Sequence, residues 1–259
     1  MKRKVVPILN TWLGAKGRKP LILRGARQVG KSTLVRLFAA DQGLDLLEVN
    51  LERHRDMDRV FASLDINLIL SNLEAIAGKR VGPQTLLFLD EIQATPHALA
   101  ALRYFYEEMP ELPVVAAGSL LEFTLADHEF SMPVGRVEYL HLGPLGFSEF
   151  LAAVDTGLVS YLEAAGRFEE IPDTAHARLV ERLREFLFVG GMPEAVCEFL
   201  ENGSLTGVRE VQRSIVETYQ DDFAKYARRE DLARLHGVFQ RIPVNIGRKI
   251  KYVNLSRED

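Results

Sequence analysis

Gly25-Ala26-Arg27-Gln28-Val29-Gly30-Lys31-Ser32 stands between an apolar run, Leu21-Ile22-Leu23, and a stretch of helical periodicity from Ser32 to Ala40. Strand, glycine loop and helix in that order read as a phosphate-binding loop. Two glycines free of Cβ let successive backbone N–H groups converge on a triphosphate, and the positive end of the following helix adds to their field. Lys31 then reaches the β- and γ-phosphates, the Ser32 hydroxyl sits on Mg²⁺, and the nucleotide-binding segment runs from Gly25 through Thr33.

A nucleotide site of this kind needs an acid on the metal side. Leu86-Leu87-Phe88-Leu89-Asp90-Glu91-Ile92 supplies one at the end of four apolar residues without alternation, the pattern of a strand covered on both faces in a parallel sheet. Asp90 is the candidate metal acid, and Glu91 the candidate base that polarises the attacking water. Taken without the loop, the two acids also read as a solvated strand end capping the next helix. A third apolar run, Pro113-Val114-Val115-Ala116-Ala117-Gly118-Ser119, ends in a hydroxyl at the side where such sheets bind ligands. Ser119 reads either as a sensor of the γ-phosphate or its water, or as a helix N-cap with Glu122 as its capping-box partner. Arg136, opening the β-like stretch Val137 to Leu142, reads either as a stabiliser of transferring charge, in its own site or a neighbour's, or as a solvated strand-edge arginine.

Strands alternating with helices over the first 145 residues predict an α/β fold with a parallel sheet and helices on its faces. The helices are expected at 3–15, 32–40, 56–63, 67–77 and 99–109. After Gly143-Pro144 the pattern turns all-helical, with candidates at 147–154, 161–165, 175–189, 195–201 and 208–226. The expected division is therefore a P-loop core, 1–145, and a helical region, 146–259. Gly190-Gly191-Met192-Pro193 reads either as a helix end or as a close approach of backbone to a ligand. The final stretch, from Ile246 to Ser256, reads as a short strand before a helix that has no room to form, which predicts a truncated region or an unstructured tail.

The 259 residues can bury a substantial core, and 47% hydrophobic with 26% charged is the balance of a globular chain. No apolar run approaches the ~18 residues of a membrane span. Met1-Lys2-Arg3-Lys4 imitates the start of a leader, but Asn10, Thr11, Lys16 and Arg18 interrupt the apolar stretch, so an amphipathic first helix is expected. The single cysteine, Cys197, excludes an internal disulfide and, among apolar neighbours, is expected to be buried. A reducing, cytoplasmic setting follows from that count. A net charge of −4 excludes a surface that is basic throughout. Residues 223–251, however, carry Lys225, Arg228, Arg229, Arg234, Arg241, Arg248, Lys249 and Lys251 against Glu230 and Asp231. This segment reads either as a solvated helix face or as the contact for DNA or a protein partner.

The loop, Leu-Asp-Glu-Ile-Gln at 89–93, Gly118-Ser119, Gly143-Pro144-Leu145-Gly146-Phe147-Ser148-Glu149-Phe150 and Gly190-Gly191-Met192-Pro193-Glu194-Ala195 together resemble the bacterial and archaeal AAA-type ATPases that carry a C-terminal domain of unknown function. The resemblance implies an AAA+-like core with the loop strand beside the Ser119 strand, then a helical and winged-helix-like region, with most of a further C-terminal domain lacking. It also implies ATP and Mg²⁺ as ligands, with Lys31 and Ser32 on phosphate and metal, Asp90 on the metal, Glu91 on the water and Ser119 as sensor. The expected activity is Mg²⁺-dependent ATP hydrolysis that switches the helical region. The alternative is a slowly hydrolysing, nucleotide-gated adaptor for DNA or protein, and the Asp90-Glu91 pair disfavours phosphoryl transfer to a small molecule.

Overall fold

The apolar runs form strands of one parallel sheet in a computed structural model that describes residues 1–119, 135–165, 170–226 and 231–249. Strands β1 (Leu21–Arg24), β2 (Asp45–Asn50), β3 (Thr85–Asp90), β4 (Val114–Gly118) and β5 (Glu138–His141) are ordered β2-β3-β4-β1-β5. All four pairings are parallel, and β1 lies between β4 and β5. The loop strand is thus beside the Ser119 strand and not beside the Asp90 strand, as the resemblance implies. Because the strands run the same way, the chain leaving Arg24, Asp90 and Gly118 emerges at one edge of the sheet, where open α/β sheets bind ligands.

Alternate residues of the central strands divide between two apolar layers. Ile22, Leu87, Leu89, Val114 and Ala116 join the core packed by helices α3 (Met57–Phe61), α4 (Ile66–Ala77) and α5 (Pro96–Glu108). Leu21, Leu23, Leu86, Phe88, Val115 and Ala117 face α1 (Val6–Leu13) and α2 (Lys31–Asp41). Leu86 through Leu89 are fully buried, which accounts for four apolar residues in a row. The first helix is shorter than its periodicity predicts, starting at Val6 with Pro7 in its first turn and stopping at Gly14. It is pinned by Trp12, whose indole N–H donates to the Lys19 carbonyl at 2.8 Å.

The all-helical part contains α6 (Phe147–Val154), α7 (Thr156–Ala165), α8 (Asp173–Val189), α9 (Pro193–Asn202), α10 (Leu205–Tyr226) and α11 (Leu232–Val244). The pattern changes at residue 145, whereas the first compact unit runs from Met1 to Gly203 and the second from Ser204 to Asp259. In the first unit, Phe150 of α6 is fully buried, 5.3 Å from the ring of Phe186 on α8 and 6.0 Å from that of Phe199 on α9. In the second, Phe223 of α10 meets the rings of His236 and Phe239 on α11 edge-on, each at 5.3 Å. The sequence pattern does not foresee α11, because Gly237 and the internal Pro243 interrupt it. Residues 246–249 form turns and not the expected strand start, and 250–259 lie outside the described residues, as do Glu122, Arg228, Arg229 and Lys251. Among the described residues, no helix is long and apolar enough to cross a membrane.

Candidate functional site

Three left-handed residues shape the loop after β1: Gly25 (φ 153°), Gln28 (φ 63°) and Gly30 (φ 89°), the last capping α2. Left-handed residues interspersed along a loop gather N–H groups into an anion-binding concavity. Gly25 is required for a second reason, since a Cβ there would fall on the carbonyl of Leu142. That carbonyl is held in place because the Leu142 N–H donates to Arg24 O at 2.7 Å.

Lys31, only 7% exposed, folds its ammonium back over the loop and donates to Gly25 O and Ala26 O, each at 2.9 Å. Burial holds it below its ordinary pKa, with Arg27 adding to that effect and Glu91 and Asp90 opposing it. The Ser32 hydroxyl donates to Asp90 Oδ2 at 2.8 Å across the gap between α2 and β3. Burial raises the Asp90 pKa, the bonds from Ser32 and from the Glu91 N–H pull it back, and the Glu91 and Glu48 charges push it up again. Two oxygen donors this close, one on a desolvated carboxylate, fit Mg²⁺, which takes few protein oxygens and completes its shell with phosphate and water.

Glu91 has a left-handed backbone (φ 53°, ψ 45°) and caps a single 3₁₀ turn, Ile92–Ala94. Its Oε2 accepts a hydrogen bond from Gln93 Nε2. Ser119 follows β4 at the same sheet edge, Gly118 being level with Arg24. It is 8% exposed, and its Oγ is buried with no hydrogen-bond partner among the described residues.

Arg136 is not brought to this site. It precedes β5, whose Glu138 is level with Leu21, so it lies at the amino end of the strands, opposite the loop. There it pairs with Glu107 at the end of α5 at 3.0 Å. A role for Arg136 within its own site is therefore corrected: it leads into β5, and the parallel pairing of β5 with β1 puts a strand's opening residue at the end away from the loop. Cys197, expected to be buried, is exposed. It follows the inward-facing pair Ala195 and Val196 and so falls on the outer side of α9.

Sequence reading missed Arg3 and gave no role to Glu149. The Arg3 guanidinium donates to Val29 O of the loop at 2.9 Å, to Gly143 O at 2.6 Å and to Glu149 Oε1 at 3.0 Å. The same carboxylate accepts the Lys4 N–H at 2.8 Å and the Gly146 N–H at 2.9 Å. The Gly-Pro-Leu-Gly-Phe-Ser-Glu-Phe motif thus braces the loop through Arg3. Gly190 ends α8 with φ 74°. Gly191 allows close approach to backbone and not to a ligand: Leu145 N–H donates to its carbonyl at 2.6 Å, and a Cβ would fall on the Leu145 carbonyl. Beside the loop opens a cavity of about 900 Å³, walled by Val6, Pro7, Leu34, Leu37, Leu145 and Pro193, with Gly30 and Thr33 on the loop side. This is the size and mainly apolar character of a small-molecule site.

No curated protein matches the sequence. The structure of C. elegans PCH-2 resembles this one with a TM-score of 0.41 at 10% identity, over 80% of this chain and 66% of that one. Residues 180–258 match a domain of unknown function, DUF8612. Residues 17–151, just over half of the chain, match the AAA domain model. With its parallel sheet and loop geometry described, the chain belongs to the AAA domain family of nucleotide-binding, ATPase-type P-loop proteins.

Proposed function

We propose that the chain is a cytoplasmic Mg²⁺-dependent ATPase, with a nucleotide-binding core over 1–145 and a helical region over 146–259 that hydrolysis switches. The observation that carries the reading is the 2.8 Å bond between Ser32 Oγ and Asp90 Oδ2 at the loop that also holds Lys31. Lys31 exchanges two loop carbonyls for β- and γ-phosphate oxygens, and the loop amides from Gly25 to Thr33 take the rest. The cavity beside Gly30 and Thr33 receives the base. Ser32 and Asp90 would hold Mg²⁺, which would offset charge on the phosphates. Glu91 accepts the proton of the water whose oxygen attacks the γ-phosphorus as the bond to ADP breaks, and Ser119 Oγ orients the γ-phosphate or that water.

Phosphate release and nucleotide titration test this together. Glu91→Gln retains ATP affinity and slows turnover by about 10²- to 10⁴-fold, the range for losing a general base. Lys31→Ala weakens binding, and EDTA stops turnover. Parental turnover in Glu91→Gln, or unchanged affinity in Lys31→Ala, refutes the assignment. The second reading, a nucleotide-gated DNA or protein adaptor working through 223–251, is favoured by Arg234 and Arg241 standing seven residues apart on one face of α11. DNA affinity that does not fall with added salt removes it.

A further inference from the structure

We infer that Gln93 is a positioning residue: its side-chain amide pins one carboxylate oxygen of Glu91 and leaves the other turned to the attacking water. This rests on the reading of Glu91 as the proton acceptor. Three observations carry it.

The first is backbone conformation. Glu91 is one of three non-glycine residues with positive φ among the described residues. An L-residue enters that region against steric crowding of its Cβ, and glutamate has no short side chain to compensate locally. Such strain persists where the surroundings fix it, and it aims the side chain differently from a regular strand end.

The second is the mounting of Gln93. Ile92 is fully buried in the core under α5, and the turn is closed by Ala94 N–H to Glu91 O at 2.9 Å and Thr95 N–H to Ile92 O at 3.1 Å. The Gln93 Cα is therefore held at a fixed offset from that of Glu91. Its Nε2 donates to Glu91 Oε2. The reversed amide would set two oxygens against each other, so the bond itself assigns the orientation.

The third is what the amide forgoes. Gln93 Oε1 is buried and accepts no hydrogen bond from the described residues. Among the described residues the amide is therefore held through its donor side, at Glu91. A neutral donor also fixes the carboxylate without adding a charge, which a lysine or arginine at 93 would do.

The test compares steady-state ATP hydrolysis and ATP affinity in the full chain for the parent, Gln93→Ala, Glu91→Gln and the double variant. Gln93→Ala is expected to lower kcat by about 10- to 100-fold, the scale of a misplaced catalytic group, with KM and ATP affinity within twofold. In the Glu91→Gln background the same change is expected to cost less than twofold, since the group it acts through is gone. Gln93→Met, which keeps side-chain length without the amide, should reproduce the kcat loss and covers the case in which the alanine variant folds poorly. Parental kcat in Gln93→Ala and Gln93→Met beside a slow Glu91→Gln overturns this inference alone, as do losses that multiply in the double variant. Parental turnover in Glu91→Gln removes the functional reading and this inference with it.

Discussion

Arg3→Ala should do far more damage than its place near the start of the chain suggests. The Arg3 and Glu149 side chains are 10% and 9% exposed, and one guanidinium serves Glu149, Val29 O and Gly143 O. Removing one partner of a buried pair strands the other charge and costs about 3–5 kcal/mol. At about 2–4 °C per kcal/mol for a chain of this size, the thermal midpoint falls by roughly 10 °C. Adding Glu149→Gln removes the stranded charge, so the double variant should lose less than the sum of the two single losses. The pH dependence follows from the carboxyl itself. Burial pushes the Glu149 pKa up, but the bonds from Lys4 N, Gly146 N and Arg3 outweigh it and hold the group below its ordinary value. Its contribution is therefore complete above the unfolded value of about 4.3 and disappears as pH falls through the lower folded one. Urea unfolding of the four proteins at neutral and strongly acidic pH measures this, and an ATP titration should show weaker binding in Arg3→Ala through the released loop carbonyl. Arg3→Ala within about 1 kcal/mol of the parent, or strictly additive losses, would refute the brace.

Ser119→Ala removes a buried hydroxyl that no described residue satisfies, so stability should hold or rise slightly while ATP turnover drops about tenfold or more. A fall in stability with turnover intact would make Ser119 a structural residue. Gly191→Ala places a methyl on the Leu145 carbonyl and should lower the thermal midpoint by several degrees. An unchanged melting curve would mean that the two segments part easily.

The loop and the Asp90 strand were legible because both signals are local. Glycine spacing specifies one turn, and an unbroken Leu-Leu-Phe-Leu run specifies a strand buried on both faces. What depends on which strand lies beside which was not legible from spacing. Arg136 looked able to reach phosphate until the parallel register put it at the far end of β5. Arg3 sits in a run of basic residues that reads as a solvated terminus, and its partners are 26, 140 and 146 residues away. Glu149 left a trace in the motif around it, but nothing in that motif names the partner. Gln93 was visible two residues beyond the acid pair. Its bond to Glu91 became meaningful only once the left-handed turn at Glu91 was known.

Leu142 and Leu145 each touch a glycine backbone directly, Gly25 on the loop side and Gly191 at the helix end. Only Gly143 and Pro144 separate those contacts. This linkage joins the α8–α9 corner to the phosphate loop through a few peptide units, with no side chain between. Its tolerance to substitution should thus be set by whether a Cβ fits, and not by hydrophobicity or charge.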